Sequence, residues 1–202
     1  METPKLSGIE QVSDGWVKKY VLTYDMPDGS THTYEVASRK DIGAYRALLD
    51  ANAAGNRPEG ADAICIAART PRDTVVMIRE FRYPLNSWCI ALPAGLLEQG
   101  EDMLECADRE LREETGYAVV PGSNARFLPQ AGYSSTGLTD ETVQIVFVEA
   151  EKIEEAHTEP HELIEVFELP IDEIGEFLEK NATPIGTRAQ LILEALDLSR
   201  SA

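Results

Sequence analysis

One uninterrupted helical segment, residues 102–115, constrains the fold of this chain more than any other feature. It contains neither Gly nor Pro, it is rich in Glu, Leu, Arg and Ala, and Gly116 follows it where a helix-ending residue is expected. Runs of β-branched and apolar residues, typical of strands, precede and follow it. A helix set among strands predicts an α/β (α+β) layer structure in which helices sandwich a mixed β-sheet.

The chain is predicted to have two domains. A β-hairpin is predicted from residues 16–24 and 31–39, which flank a turn-forming segment. The next segment, 40–59, is predicted to begin as a helix and ends in Gly and Pro residues that interrupt regular structure. We therefore expect a small N-terminal β-hairpin domain over 1–57 and a main domain over 58–202. Its strands are predicted at 61–68, 74–81, 88–92, 126–128, 142–149 and 163–169, and its closing helices at 171–180 and 187–198.

The charge balance excludes several classes of protein. The chain has 18 Lys and Arg against 36 Asp and Glu, a net charge of −18, which argues against binding to nucleic acid through its phosphates. Its longest apolar run, 63–68, is far shorter than a membrane span, and the first residues show no signal-peptide pattern. Cys65, Cys89 and Cys106 form no C-x-x-C pair and are expected to be reduced and buried. We expect a cytoplasmic protein.

The predicted helix carries an acidic arc. At about 100° per residue, Met103, Leu104, Ala107 and Leu111 share one apolar face, and Glu110, Glu113 and Glu114 occupy the neighbouring arc. Adjacent carboxylates repel by about 3 kcal/mol at an effective dielectric constant of 20. The arc is therefore either a solvated face or a site for a cation.

The spacing around this arc distinguishes the two interpretations. The pattern Gly95-x5-Glu101-x7-Arg109-Glu110-Leu111-x-Glu113-Glu114-x-Gly116-Tyr117 resembles the Nudix box of the Nudix hydrolases, with Tyr117 in place of an aliphatic residue as its one departure. The resemblance implies the Nudix fold. It also implies a metal held by Glu110, Glu113, Glu114 and the carbonyl of Ala94, with Arg109 orienting the carboxylates and Glu101 supporting the loop. Such oxygen ligands select Mg²⁺, or Mn²⁺, which can activate water against a phosphoryl group.

The segments before the box narrow the resemblance. Glu80-Phe-Arg-Tyr-Pro84 and the stretch 88–95 are similar to those of ADP-ribose (ADP-sugar) pyrophosphatases. This implies Mg²⁺-dependent hydrolysis of a nucleoside diphosphate sugar, with ADP-ribose giving AMP and ribose 5-phosphate. It further implies a homodimer that exchanges the N-terminal domain, adenine stacked on Trp16 and Tyr34, and substrate contacts by Arg39 and Arg82.

The catalytic base and the substrate stay open at this point. Glu162 aligns best with the family's base, with Glu159 and Glu165 as alternatives, while His157 and His161 lack a third metal ligand at matching spacing. Thr136 stands where the subfamily has a proline, and Tyr133 lies where a tyrosine is associated with dinucleoside polyphosphate hydrolases. Dinucleoside polyphosphates or another sugar nucleotide such as GDP-mannose are therefore alternative substrates. A regulatory domain that senses ADP-ribose is the alternative outside the enzymes.

Overall fold

The structure, a computed structural model, describes residues 2–56 and 60–200. The chain divides into two compact units, one formed from the ranges 1–62 and 131–143 and the other from 63–130 and 144–202. The predicted boundary between residues 57 and 58 lies outside the described residues and stays a prediction. The strands are β1 Lys5–Gln11, β2 Lys18–Asp25, β3 Thr31–Ser38, β4 Ala63–Arg69, β5 Thr74–Arg82, β6 Ser87–Ala91, β7 Ala94–Leu96, β8 Tyr117–Val119, β9 Arg126–Phe127, β10 Gly132–Tyr133, β11 Thr142–Lys152 and β12 Ile164–Pro170, and the α-helices are α1 Ile42–Ala53, α2 Met103–Thr115, α3 Ile174–Lys180 and α4 Thr187–Arg200.

The first unit contains a three-stranded antiparallel sheet in the order β1–β2–β3. Strands β2 and β3 form the predicted hairpin, in which Asp25 pairs with Thr31. Strand β1 is a feature that the sequence pattern does not predict, because its residues are largely polar and gain their conformation by pairing with β2. The small N-terminal sheet is thus one strand larger than expected.

Helix α1 and the sheet share a small core in the first unit. Asp41 caps the helix by accepting a hydrogen bond from the N–H of Ala44 at 2.8 Å. Tyr20, Leu22 and Tyr45 are buried together, and the two tyrosine rings lie 4.8 Å apart between centroids. This unit therefore has its own hydrophobic core.

The second unit is built on a sheet with the path β11–β4–β5–β12, which β6, β7, β8 and β9 extend. Strands β4 and β5 are buried along nearly their whole length, as their continuous apolar sequences predict. The apolar face of α2 enters this core through Ala107 and Leu111, which pack with Ile64, Ile66 and Val146. The predicted fold class, the Nudix fold with a mixed sheet, helices and a small N-terminal β-domain, is confirmed.

Helix α2 follows the predicted segment closely. Asp102 and Glu105 form a capping box at its start, and Gly116 ends it with a left-handed φ of 71°. The short strands β7, β8 and β10, with two or three residues each, lie outside the predicted elements. So few residues carry no periodicity, and only pairing with a longer strand defines them.

The last two helices also differ slightly from the prediction. The segment expected to form one helix over 171–180 begins as a 3-10 turn, Ile171–Glu173, before α3 starts. Helix α4 runs two residues further than expected, to Arg200. None of the helices in the described part of the chain has the length and apolar content needed to span a bilayer.

Gly116 is expected to be essential for stability. A Cβ atom there would lie 2.2 Å from the carbonyl oxygen of Glu154, in addition to the strain of a left-handed φ. We expect Gly116→Ala to lower the free energy of unfolding by about 3 kcal/mol or more, as measured by urea denaturation. Gly122 also has a left-handed φ, 78°, but a Cβ atom at that position would meet no other atom within 4 Å. Gly122→Ala is therefore the control and should cost only about 1 kcal/mol; equal losses would contradict the steric argument.

Candidate active site

The segment that enters α2 is positioned by strand pairing. Strand β7 pairs with β4, which places Ala94 opposite Cys65 and Gly95 opposite Ile64. The carboxylate of Glu110 lies directly against Gly95, so that a Cβ atom at Gly95 would be 1.8 Å from Glu110 Oε1. Only glycine leaves space for this carboxylate, which explains why the loop needs glycine at position 95.

Arg109 ties the loop before α2 to the helix. Its Nε and Nη2 donate to the two carboxylate oxygens of Glu101 at 2.8 and 3.0 Å, a bidentate ion pair. The backbone N–H of Glu98 donates to the same carboxylate at 3.0 Å. Hydrogen bonds from Arg109 lower the pKa of Glu101 to about 2, outweighing the opposite effect of burial. Glu101 and Arg109 thus tie the loop to the helix. The roles that the resemblance implies for them, supporting the loop and orienting the carboxylates, stay predictions.

The same guanidinium also contacts the acidic arc. Nη1 of Arg109 lies 2.8 Å from Glu110 Oε1 and 3.3 Å from Glu113 Oε2. Arg109 acts to lower the pKa of Glu110, but burial raises it, and the negative charges of Glu113 and Glu162 add to the rise. In the described part of the chain, no three His, Cys, Asp or Glu side chains are arranged closely enough here to hold a metal ion. Instead, the carboxylates of Glu110 and Glu113 form ion pairs with Arg109.

Glu114 is the most buried of the predicted metal ligands, with 7% of its surface exposed. Its Oε2 accepts a hydrogen bond from the N–H of Ala94 at 3.1 Å, which joins the helix to β7. Burial raises the pKa of Glu114 well above its usual range despite this bond, and nearby carboxylates raise it further. These neighbours are Glu80, Glu110 and Glu162, and we call the four residues Glu80, Glu110, Glu114 and Glu162 the carboxylate cluster.

Glu80 is a member of this cluster that the sequence reasoning missed. It lies on β5 with 8% of its surface exposed, and its Oε1 is 2.6 Å from Arg82 Nη2. Burial raises its pKa, while the charge and hydrogen bond of Arg82 act in the opposite direction. The signal was a carboxylate within an otherwise buried apolar strand, which needs a cation nearby. Glu80 thereby positions Arg82, the arginine predicted to contact substrate.

Glu162 is the best placed of the three candidate bases. Its carboxylate accepts from the backbone N–H of Glu159 at 3.1 Å, and its charge raises the pKa of the other cluster members. Glu165 is paired with Arg79 at 2.6 Å, and Glu159 with His161 at 3.0 Å. The repulsion between Glu162 and the other three cluster members supports its selection as the base. Its role as base stays a prediction.

Three predicted substrate-binding residues belong to the first unit. Trp16 precedes β2 and is 74% exposed, and Tyr34 on β3 donates its hydroxyl hydrogen to the carbonyl oxygen of Gly137 at 2.8 Å. Arg39 forms an ion pair with Glu141 at 2.7 Å. Arg82 and the carboxylate cluster belong to the second unit. The substrate roles of these residues stay predictions.

The two residues that departed from the subfamily pattern share a cavity in the first unit. Tyr133 and Thr136 line this space of about 480 Å³ together with Tyr34. The hydroxyl of Tyr133 donates to Asn52 Oδ1 at 3.4 Å. Tyr133 and Thr136, where the sequence departs from the ADP-ribose pattern, therefore lie on the same cavity as Tyr34, which is predicted to stack on adenine.

The cysteines and histidines take no part in the cluster chemistry. All three cysteines are free and buried, and burial raises the pKa of Cys65 to about 11 and of Cys106 to about 12. These thiols stay protonated at neutral pH, so they are poor nucleophiles. His157 and His161 are exposed and lie beside Glu154 and Glu159, as expected for solvated side chains.

The family follows from comparison with known proteins. A sequence model of the NUDIX domain matches residues 58–189 of the chain. An ADP-sugar pyrophosphatase of Mus musculus is 31% identical over 176 residues, which cover 82% of this chain and 72% of that protein. The chain belongs to the Nudix family. It is a Nudix hydrolase, and so an enzyme, as the box predicts.

Two further similarities extend this result. An ADP-ribose pyrophosphatase of Bacillus subtilis is 32% identical over 119 residues, covering 58% of this Nudix hydrolase and 62% of that protein. The crystal structure of an ADP compounds hydrolase superposes with a TM-score of 0.71 at 20% identity, covering 100% of this chain and 97% of the other. At this identity the structural similarity establishes the fold alone.

The ion pair of Glu101 with Arg109 predicts a pH-dependent contribution to stability. The pKa of Glu101 falls from 4.5 to about 2 on folding, so the pair stabilises the protein above pH 4.5 and loses its effect as the pH falls towards 2. We expect Glu101→Gln to lower the free energy of unfolding by about 1–2 kcal/mol at pH 7. The difference from wild type, measured by urea denaturation between pH 7 and 3, should narrow below pH 4.5.

Glu98→Gln provides the control for this measurement. Glu98 is an exposed residue of the same loop and is in none of the ion pairs that the described residues form. Its substitution should change stability little at any pH. A loss at pH 7 as large as that of Glu101→Gln, or a gap between Glu101→Gln and wild type that is as wide at pH 3 as at pH 7, would show that the ion pair is not the cause.

Proposed function

We propose that this Nudix hydrolase cleaves the diphosphate bond of ADP-ribose or a related nucleoside diphosphate sugar with the help of Mg²⁺. For ADP-ribose the products are AMP and ribose 5-phosphate. The observation that carries the proposal is the carboxylate cluster, in which the partly buried Glu110 and the buried Glu114 repel each other beside the loop that Arg109 holds. The names of the mouse and Bacillus relatives support the substrate class.

The residues present suit a hard divalent cation in their chemistry. Glu110, Glu113 and Glu114 supply carboxylate oxygens and Ala94 a carbonyl oxygen, the ligands that Mg²⁺ or Mn²⁺ prefers. Gly95 leaves room for the Glu110 carboxylate, where any Cβ would collide with it. When bound, the ion neutralises phosphate charge and makes a coordinated water more acidic.

The side chains of the chain itself perform the remaining steps. Glu162 accepts the proton of the attacking water on a carboxylate oxygen. The water oxygen forms a bond to one phosphorus, and the bond from that phosphorus to the bridging oxygen breaks, so that the bridging oxygen leaves with the other phosphate. Arg82 binds a phosphate oxygen, and Arg109 with Glu101 keeps the loop and helix in register.

The first unit contributes substrate recognition in this proposal. Trp16 and Tyr34 stack on adenine, Arg39 contacts the substrate, and a homodimer exchanges the N-terminal domain between its subunits. The 74% exposure of Trp16 supports a stacking role, because a ring left so open has surface to offer a base. Three buried, free cysteines fit a reducing compartment such as the cytoplasm.

The test is release of AMP from ADP-ribose, measured by chromatography with Mg²⁺ and with excess chelator. GDP-mannose and a dinucleoside polyphosphate complete the panel, because Tyr133 and Thr136 depart from the ADP-ribose pattern. We expect ADP-ribose to be cleaved fastest and the chelator to stop the reaction. A regulatory ADP-ribose-binding domain would bind the compound and release no AMP.

A variant of the cluster sharpens this test. Glu114→Gln should reduce kcat by about 100-fold or more, since it removes a charge worth several kcal/mol to a bound cation, and the protein should still fold. Glu149→Gln, an exposed residue of β11, is the control and should retain full activity. Near-normal turnover by Glu114→Gln would count against the proposed metal site.

Stacking by Trp16 is tested by its effect on KM. Trp16→Ala should raise KM for ADP-ribose about 10-fold or more, because stacking on a base contributes about 1–3 kcal/mol. The exposed position means that thermal stability should not change. Trp16→Phe keeps an aromatic ring and should recover most of the affinity; an unchanged KM in Trp16→Ala would remove Trp16 from the substrate site.

A further inference from the structure

The start of helix α4 is held against the sheet of the second unit. The N–H of Ile90 on β6 donates to the carbonyl oxygen of Pro184 at 2.7 Å, and the N–H of Gly186 donates to that of Ile90 at 2.8 Å. Ala189, in the first turn, is buried with 2% of its surface exposed. The backbone around Arg188 is therefore fixed from both sides, which fixes where its long side chain can reach.

Arg188 lies close to the strands that carry the carboxylate cluster. Gly186, two residues before it, is hydrogen-bonded to Ile90 of β6, and the neighbouring Cys89 pairs with Glu80 of β5. The charge of Arg188 acts against the burial that raises the pKa of Cys65, which pairs with Ala94, whose N–H holds Glu114. The charge of Arg188 also lowers the pKa of Glu80. Arg188 comes from helix α4, far in sequence from the box, yet its charge acts on Glu80, a buried member of the carboxylate cluster.

The arginines around the cluster differ in what they are bound to. Arg82 is paired with Glu80, and Arg109 is paired with Glu101, Glu110 and Glu113. Arg188 is in none of the ion pairs that the described residues form, and it is an exposed residue. A guanidinium has five N–H donors. Arg188 thus keeps most of its donors for another anion.

We propose that Arg188 binds a phosphate oxygen of the diphosphate substrate, as a second phosphate-binding arginine beside Arg82. This inference rests on the proposed function and assigns one further residue to the same site. A dianionic diphosphate approaching a chain of net charge −18 is repelled unless local cations meet it. Arg109 is paired with three carboxylates and Arg82 with one, so Arg82 on β5 and Arg188 on α4 are the arginines assigned to the phosphates.

The experiment compares Arg188→Gln and Arg188→Lys with wild type in ADP-ribose hydrolysis. Losing a charge-assisted hydrogen bond should lower kcat/KM about 10- to 100-fold in Arg188→Gln, mainly through KM. Arg188→Lys restores the charge and should recover part of the loss. The control is Arg69→Gln, which removes an exposed arginine that pairs with Asp73 at the far end of β4. It should leave both constants unchanged.

A binding measurement separates phosphate contact from a structural role. Calorimetric titration with α,β-methylene-ADP, whose bridging carbon resists hydrolysis, should show about 10-fold weaker binding to Arg188→Gln than to Arg69→Gln, with equal thermal midpoints. Equal binding by the two variants, or weaker binding that a lowered thermal midpoint explains, overturns the proposal. A wild-type protein that cleaves no substrate of the panel overturns the proposed function itself, whereas an active wild type with unaffected Arg188→Gln overturns only the role of Arg188.

Discussion

The buried carboxylates of the second unit can exist only because cations and backbone N–H groups are held against them. Moving an isolated carboxylate out of water is costly, and several within one small region repel each other as well. Arg109 offsets this cost for Glu101 and for the partly buried Glu110, and the N–H of Ala94 offsets it for Glu114. The pairing of β7 with β4 and the apolar face of α2 against the core are what bring these groups together.

This arrangement also explains how such an acidic chain could act on the acidic substrate that we propose. The pKa values of Glu80, Glu110 and Glu114 are all raised by burial, so the cluster is a place where a further cation is favoured. The arginines are distributed unequally: Arg109 is paired with Glu101, Glu110 and Glu113, whereas Arg82 is paired with Glu80 alone. In our proposals Arg82 and Arg188 bind the phosphates. Local positive charge therefore counters the repulsion that the net charge of −18 imposes.

The predicted binding positions of the first unit are mainly aromatic, with Trp16 and Tyr34 beside the charged Arg39. Tyr34 and Tyr133 line one cavity, and Trp16 is exposed in the segment before β2. A tyrosine ring offers both a flat apolar face and a hydroxyl group, which suits recognition of a base. The departures from the subfamily pattern at Tyr133 and Thr136 fall on this cavity, so substrate choice is a property to examine in the first unit.

Much of the second unit could be predicted from local pattern. The helix from Asp102 to Gly116 and the buried strands β4 and β5 are there because their periodicity and end signals act over short distances. Strands β1, β7 and β8 could not be predicted in this way, because pairing with distant residues is what makes them strands.

The same division holds for the site. The sequence by itself determined the family, the acidic arc of α2 and the glycine at position 95, since those depend on spacing along the chain. Only the tertiary structure decided that Glu80 joins the carboxylate cluster and that Arg188 acts on Cys65 and Glu80. These contacts join residues far apart in sequence, and electrostatic interactions depend on distance in space and on burial, neither of which a linear pattern contains.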